Sequence, residues 1–319
     1  MELALIGVLG LCLGSFFNVL IHRLPRDESI VRPGSRCPRC GHALRWYENV
    51  PVLSWVALRG RCSRCKARIS ARYVAVELLT GAIFAGCYLR FGMNVSLGAA
   101  LTLITFLIPL TFIDAEHWIL PFELTLPGIA AGVLFGARDG LAGVQSAALA
   151  ASLGFLAFRA VEWFGWLAFR KEAMGAGDKF LVALICGFLG ARALPGIFIL
   201  SSLQGSVWGL LMLGLQGRAG PAPEEEGEEP QPRTMTWEFA RPGLPLWKRL
   251  VLFPINVLFQ PIPDEPKNAK GEEIEWQPDQ TSLPFGPWLA LSAVELVLFG
   301  PQLAQLVPFI GWVFAADQL

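Results

Sequence analysis

Two aspartates, Asp114 and Asp178, each stand where a long apolar run meets a short polar segment, in Ile113-Asp114-Ala115-Glu116-His117 and Gly175-Ala176-Gly177-Asp178-Lys179. A carboxylate at the edge of hydrocarbon is expensive to keep, so an acid there is a functional candidate by default. Two such acids brought within a few ångströms share one proton, because both cannot ionise cheaply. One then serves as base toward a water while the other donates to a carbonyl oxygen. That chemistry is acid–base hydrolysis, and its titration belongs to the pair. Gly175 and Gly177 permit positive φ and close backbone approach, which would let an extended substrate strand lie against the catalytic loop. Taken singly, each acid also has an ordinary reading. Asp178 could cap a helix beginning near Lys179, and Asp114 could be solvated at an interface beside Glu116 and His117.

Four cysteines form a second chemical constellation. Cys37-Pro38-Arg39-Cys40 and Cys62-Ser63-Arg64-Cys65 are two C-x-x-C knuckles separated by 21 residues. Paired knuckles suit the tetrahedral preference of zinc, and nearby arginines favour the thiolate. Two disulfides are the alternative, which a reducing compartment disfavours. Four protein ligands leave no position for a reacting water, so the expected zinc is structural. Cys12, Cys87 and Cys186 lie singly in apolar runs and read as small buried hydrophobes.

The elements that must position these groups are membrane helices. The chain has 319 residues, 54% hydrophobic and 16% charged, with no net charge. That balance excludes an ordinary soluble domain and gives no reason to expect nucleic acid as a partner. The expected fold is an all-α polytopic membrane protein with about eight transmembrane helices and a cytoplasmic zinc-binding loop. The predicted spans are 3–21, 74–90, 96–113, 122–136, 141–158, 180–190, 196–215 and 285–303. Around Leu194-Pro195-Gly196, one kinked span could replace two. Residues 22–72 carry twelve arginines and lysines against three acids, which places that loop in the cytoplasm and the N-terminus outside. By alternation both aspartates then fall on the cytoplasmic side. Charge after the first span rather than before it argues against a cleaved signal peptide.

Several ordered motifs now carry a resemblance. Gly14-Ser15-Phe16-Phe17-Asn18-Val19 with Arg23-Leu24-Pro25, the cysteine knuckles, Tyr47-Glu48-Asn49-Val50-Pro51 and Val76-Glu77-Leu78-Leu79-Thr80-Gly81 are four of them. The Asp114 segment, the Gly-Ala-Gly-Asp segment and Leu283-Pro284-Phe285-Gly286-Pro287 complete the set. Over nearly the whole chain they resemble the bacterial type IV prepilin peptidases. The resemblance implies a membrane aspartic endopeptidase that removes the basic leader from type IV prepilin or pseudopilin precursors in pilus or type II secretion systems. Asp114 and Asp178 would be its catalytic pair in the bacterial inner membrane. The four-cysteine loop marks the longer, bifunctional form, which N-methylates the new N-terminus with S-adenosylmethionine. A protease-only enzyme and a non-enzymatic zinc-containing assembly factor are the alternatives. A proton relay suits two acids at one membrane face poorly. A presenilin-like protease shares the Gly-x-Gly-Asp element but not the cysteine loop.

Glu77 lies about one turn inside its helix and could bind a substrate or cofactor amine, or snorkel to the interface. Glu116, His117 and Glu123 read as headgroup-facing or supporting residues. Ser15 and Asn18 share the first helix with Gly7, Gly10 and Gly14, a face suited to close helix packing and interhelical hydrogen bonds. No strand-turn-helix glycine fingerprint appears, so a methyl-donor site would not be a Rossmann domain. The expected organisation is a first helix (1–21), the zinc loop (22–73), the aspartate-bearing core (74–215), an acidic proline-rich insertion (216–284) and a C-terminal helix with its tail (285–319). The insertion holds seven basic and twelve acidic residues and is longer than the family's usual connection. Residues 246–253 could form an amphipathic element on the membrane surface. The acidic parts could attract basic leaders or serve as a solvated linker.

Overall fold

The computed structural model describes residues 1–169, 174–216, 245–259, 283–306 and 311. Among them the chain is helical throughout, apart from turns and two isolated β-bridges. The helices are α1 (Glu2–Arg23), α2 (Leu53–Ala57), α3 (Arg72–Phe91), α4 (Val95–His117) and α5 (Phe122–Phe135), followed by α6 (Gly140–Phe169), α7 (Asp178–Leu189), α8 (Ala193–Gln216), α9 (Leu246–Phe259) and α10 (Gly286–Leu306).

Six stretches are long and apolar enough to cross hydrocarbon: Glu2–Arg26, Arg72–Phe91, Val95–His117, Phe122–Ala168, Ala193–Gln216 and Gly286–Leu306. Phe122–Ala168 contains both α5 and α6, joined by a tight turn at Gly136–Asp139. α7 has 12 residues, about 18 Å of helix against a hydrocarbon core of roughly 30 Å. Nearly every one of its residues is buried, because α4, α5, α6, α8 and α10 all pack around it. A helix apolar on all sides belongs inside a bundle. The eight expected spans thus fall on eight helices, but length alone supports six stretches. Two helices, not one kinked span, stand here, but the turn lies at residues 190–192 and Leu194-Pro195-Gly196 is in the first turn of α8: Gly190 ends α7 at φ 82° and α8 starts at Ala193.

α4 supplies the centre of the core through Leu103, Ile104, Leu107, Leu110 and Ile113, all at or near full burial. Asn94 starts it by accepting the Leu97 N–H at 2.9 Å, and Trp118, left-handed at φ 60°, ends it by donating to the Asp114 carbonyl. Asp114 therefore sits in the last turn of a rigid buried helix. α1 and α3 touch through glycine. A Cβ on Gly10 would lie 2.8 Å from the Gly81 Cα, and one on Gly14 would lie 2.7 Å from the Glu77 Cα. Gly7, expected on the same face, meets nothing. Asn18 donates across this interface to the Tyr73 carbonyl at 3.0 Å. Leu5, Leu78, Leu89, Leu149 and Leu203 point outward, as lipid-facing side chains do.

The insertion's amphipathic stretch is helical as α9, with Trp247, Leu250, Val251 and Phe253 exposed. The acidic segments on either side, 217–244 and 260–282, lie outside the described residues, and so does the expectation that they attract leaders.

Candidate functional site

Asp114 at the end of α4 and Asp178 at the start of α7 come together inside the bundle, 6% and 3% exposed. Their carboxyl groups lie close enough to repel each other. Asp114 Oδ2 accepts the Gly286 N–H from the first turn of α10 at 3.0 Å. Asp178 Oδ2 accepts the Gly175 N–H at 3.1 Å. Three helix ends thus meet at one level of the bundle, and each carboxyl group is aimed by a backbone donor.

Asp178 is the first helical residue of α7, and Gly177 holds the cap position. The capping role therefore does not fall to Asp178, whose side chain reaches back to Gly175 instead. The glycines differ from expectation in their reason. Gly177 has φ −80°, and Gly175 is not among the residues at positive φ. What excludes a side chain is space. A Cβ on Gly177 would lie 2.8 Å from Leu120 Cβ, and one on Gly175 would lie 3.2 Å from Asp178 Oδ2. Gly286 is tighter still, its Cβ position 2.5 Å from Asp114 Oδ2. In the sequence Gly286 belongs to the Leu-Pro-Phe-Gly-Pro motif, which by itself signals no role for that residue.

Glu77, 7% exposed, faces the cysteine loop. It accepts the Val52 N–H at 2.7 Å and is also hydrogen-bonded by Ser15. Val52 stands at φ 60°, a costly conformation for a β-branched residue, and the buried acid holds it there. Glu77 thus anchors the loop to α3. Glu116 forms an ion pair with Arg72, which ties the end of α4 to the start of α3. His117 is half-buried and Glu123 is exposed.

The four cysteines converge. Cys37 and Cys65 sulfurs are 3.8 Å apart, Cys40 and Cys62 sulfurs 4.0 Å, and all four lie within 4.8 Å of one another without a disulfide. Sulfurs each ~2.3 Å from a central zinc would sit about 3.8 Å apart. Each knuckle is closed by its own backbone bonds, Cys37 N–H to the His42 carbonyl and Cys62 N–H to the Ala67 carbonyl, both 2.9 Å. The backbone N–H groups of Cys65 and Arg64 hold the Cys62 thiol down to about 6. At Cys40 the His42 N–H acts in the same sense, but burial and the three neighbouring sulfurs prevail and push it up to about 11. Four thiolates cannot share this space without a cation. The donor set, spacing and charge fit a divalent metal, and zinc is the ion that suits S4 geometry.

A third cluster was not legible as such. Glu162 in α6 accepts from Arg159 at 2.8 Å and from Lys179 at 3.0 Å, with all three residues buried. Its signal is Arg159 and Glu162 one turn apart in an apolar helix, a pairing that intramembrane charge makes suspicious.

Fold and site define a class: a helical membrane protein that buries a carboxyl pair at one end of its bundle and carries a four-cysteine loop at the same end. Residues 8–91 match the model of the bacterial peptidase A24 N-terminal domain, and residues 101–210 that of the type IV leader peptidase family. A Myxococcus xanthus protein named prepilin leader peptidase/N-methyltransferase is 55% identical, over 94% of this chain and 91% of that protein. Proteins of the same name from Dichelobacter nodosus and Stutzerimonas stutzeri are 38% and 40% identical, over 64% and 66% of this chain and 81% and 80% of theirs. The chain belongs to the type IV leader peptidase family. No solved structure matches it.

Proposed function

We propose that the protein is a membrane aspartic endopeptidase that removes leaders from type IV prepilin-like precursors at the cytoplasmic face of the inner membrane, and then N-methylates the new N-terminus. The observation that carries the peptidase half is the meeting of Asp114 and Asp178, both buried and each aimed by a backbone N–H. With one proton between them, the ionised carboxylate takes a proton from a water that attacks the scissile carbonyl, and the protonated one donates to the carbonyl oxygen. On collapse of the tetrahedral intermediate the newly protonated aspartate gives its proton to the leaving amine while the other takes one from the diol hydroxyl, so the pair regains its starting state. An intact substrate helix hides its scissile bond, so the cut falls where the precursor's apolar stretch leaves the membrane and unwinds. A carboxyl pair at the bundle end suits that depth.

The cysteine loop is the proposed zinc site, held by Cys37, Cys40, Cys62 and Cys65. Zinc bound there would supply folding energy to a loop without an apolar core of its own. The methyl-transfer half rests on the names of the relatives. Among the described residues there is no glycine fingerprint or strand to cradle S-adenosylmethionine, and Glu77, the candidate for binding an amine, is engaged by Val52.

Purified protein incubated with a precursor peptide, with and without S-adenosylmethionine, and read by mass spectrometry tests both halves. Loss of the leader mass supports the peptidase, and a further methyl mass supports the transferase. An unchanged precursor under both conditions would leave the non-enzymatic assembly reading in its place.

A further inference from the structure

The charges that neighbour the carboxyl pair are not scattered. Glu162 Oε2 accepts Arg159 Nη1 at 2.8 Å and Lys179 Nζ at 3.0 Å, and the three residues are only 3–4% exposed. Arg159 Nε also donates to the Val257 carbonyl of α9 at 2.7 Å. Lys179 directly follows Asp178, and the charges of both Lys179 and Glu162 are felt at Asp178. The other titratable side chains on helices packed against α7 are Asp114, Glu116 and His117 on α4, Glu123 on α5 and Glu295 on α10; α8 has none. Glu116 is engaged by Arg72 and Glu295 by Gln204; beyond the charge of Asp114 itself and the Gly175 N–H, Lys179 and Glu162 are the groups that act on Asp178.

A carboxyl pair works only while it holds a single proton. An ammonium group beside Asp178 favours ionisation of both aspartates and so opposes that state. We propose that Glu162 is a positioning residue for peptide cleavage, holding the Lys179 ammonium against α6 so that the aspartates keep their shared proton at neutral pH. The proposal rests on the peptidase reading. It also gives α9 a place in the enzyme, because the α9 backbone braces Arg159, the second cation on Glu162.

The sign follows from the charge change. Glu162→Gln takes the buried acid away from the Lys179 ammonium, which favours the doubly ionised pair, so the alkaline limb of the kcat–pH profile moves to lower pH. Lys179→Met removes the cation and leaves Glu162 with Arg159, so the same limb moves to higher pH. The double variant returns the limb toward the wild-type position. The experiment measures kcat and KM for a precursor peptide over roughly pH 4–10, so that both limbs of the profile can be followed, using full-length protein in micelles and size-exclusion elution as a check of folding. Shifts of about one pH unit in opposite directions, with KM unchanged, are expected. Loss of activity by the same factor at every pH would overturn the proposal and leave a packing role. If Glu162→Gln fails to fold, Lys179→Met decides: an unmoved or acid-shifted limb sinks the idea. A wild-type protein that cleaves nothing would count against the peptidase reading instead, so the two failures are distinguishable.

Discussion

Each aspartate of the pair gives one oxygen to a backbone N–H, and that bond is what a substitution should preserve. Asparagine keeps an acceptor for Gly286 or Gly175 but cannot hold a shared proton. We therefore predict that Asp114→Asn and Asp178→Asn each lower the rate of leader removal by about 10²–10⁴-fold while elution on size exclusion stays unaltered. Wild-type rates in both variants would refute catalysis by the pair. Gly286→Ala acts differently, because its Cβ would stand 2.5 Å from Asp114 Oδ2 and push the carboxyl group aside. A fall in kcat of about 10²-fold with little change in KM is expected, since displacements near 1 Å can cost that much. The aspartates were legible in the sequence because acids at the ends of apolar runs are rare. Gly286 was not, since a backbone donor 172 residues away leaves no trace in side-chain chemistry. Glu162 escaped for another reason: Arg159 and Glu162 at i, i+3 look like a surface pair until burial is known.

At the scale of elements, apolar length and turn chemistry predicted most spanning helices within a few residues, but α6 runs on to Phe169 and α9 through Pro254 to Phe259, both beyond their expected ends. What it could not give was enclosure. A 12-residue apolar run reads as a short span, and only contacts with five other helices show α7 to be an internal strut. Glycine spacing on α1 likewise suggested a packing face without saying which positions were tight. The structure selects Gly10 and Gly14 over Gly7, so Gly14→Val should force α1 from α3 and destabilise the bundle by about 1–3 kcal/mol. Gly7→Val should be close to neutral, and thermal unfolding in detergent compares the two. The cysteine loop joins α1 to α3, and on the zinc reading its folding would depend on metal. Removing zinc with a chelator, or replacing Cys37 by Ser, should unfold the loop and expose it to protease while far-ultraviolet helicity changes little. Because thiols must lose protons to bind metal, retention of zinc should weaken as pH falls. Full protease resistance after verified metal loss would show that the loop folds without it.

Across the whole molecule, charge and chemistry gather at one end of the bundle. The Arg72–Glu116 ion pair, the Glu77 bond to Val52 and the Gly286 bond to Asp114 tie the starts of α3 and α10, the end of α4 and the cysteine loop to the same level. The loop and the carboxyl pair must therefore face the same compartment, whichever it is. On the positive-inside rule, twelve basic residues against three acids in residues 22–72 would make that compartment the cytoplasm. The turn at Gly136–Asp139, between α5 and α6, then faces outward, because α5 starts just after the end of α4 that carries Asp114 and runs away from it. We predict that Asp139→Cys is labelled by an impermeant maleimide in intact spheroplasts, whereas Ser29→Cys reacts only after permeabilisation, both measured in a background without Cys12. The reversed pattern would put the carboxyl pair outside, away from precursors whose basic leaders remain in the cytoplasm, and the proposed reaction would then have no substrate at that face.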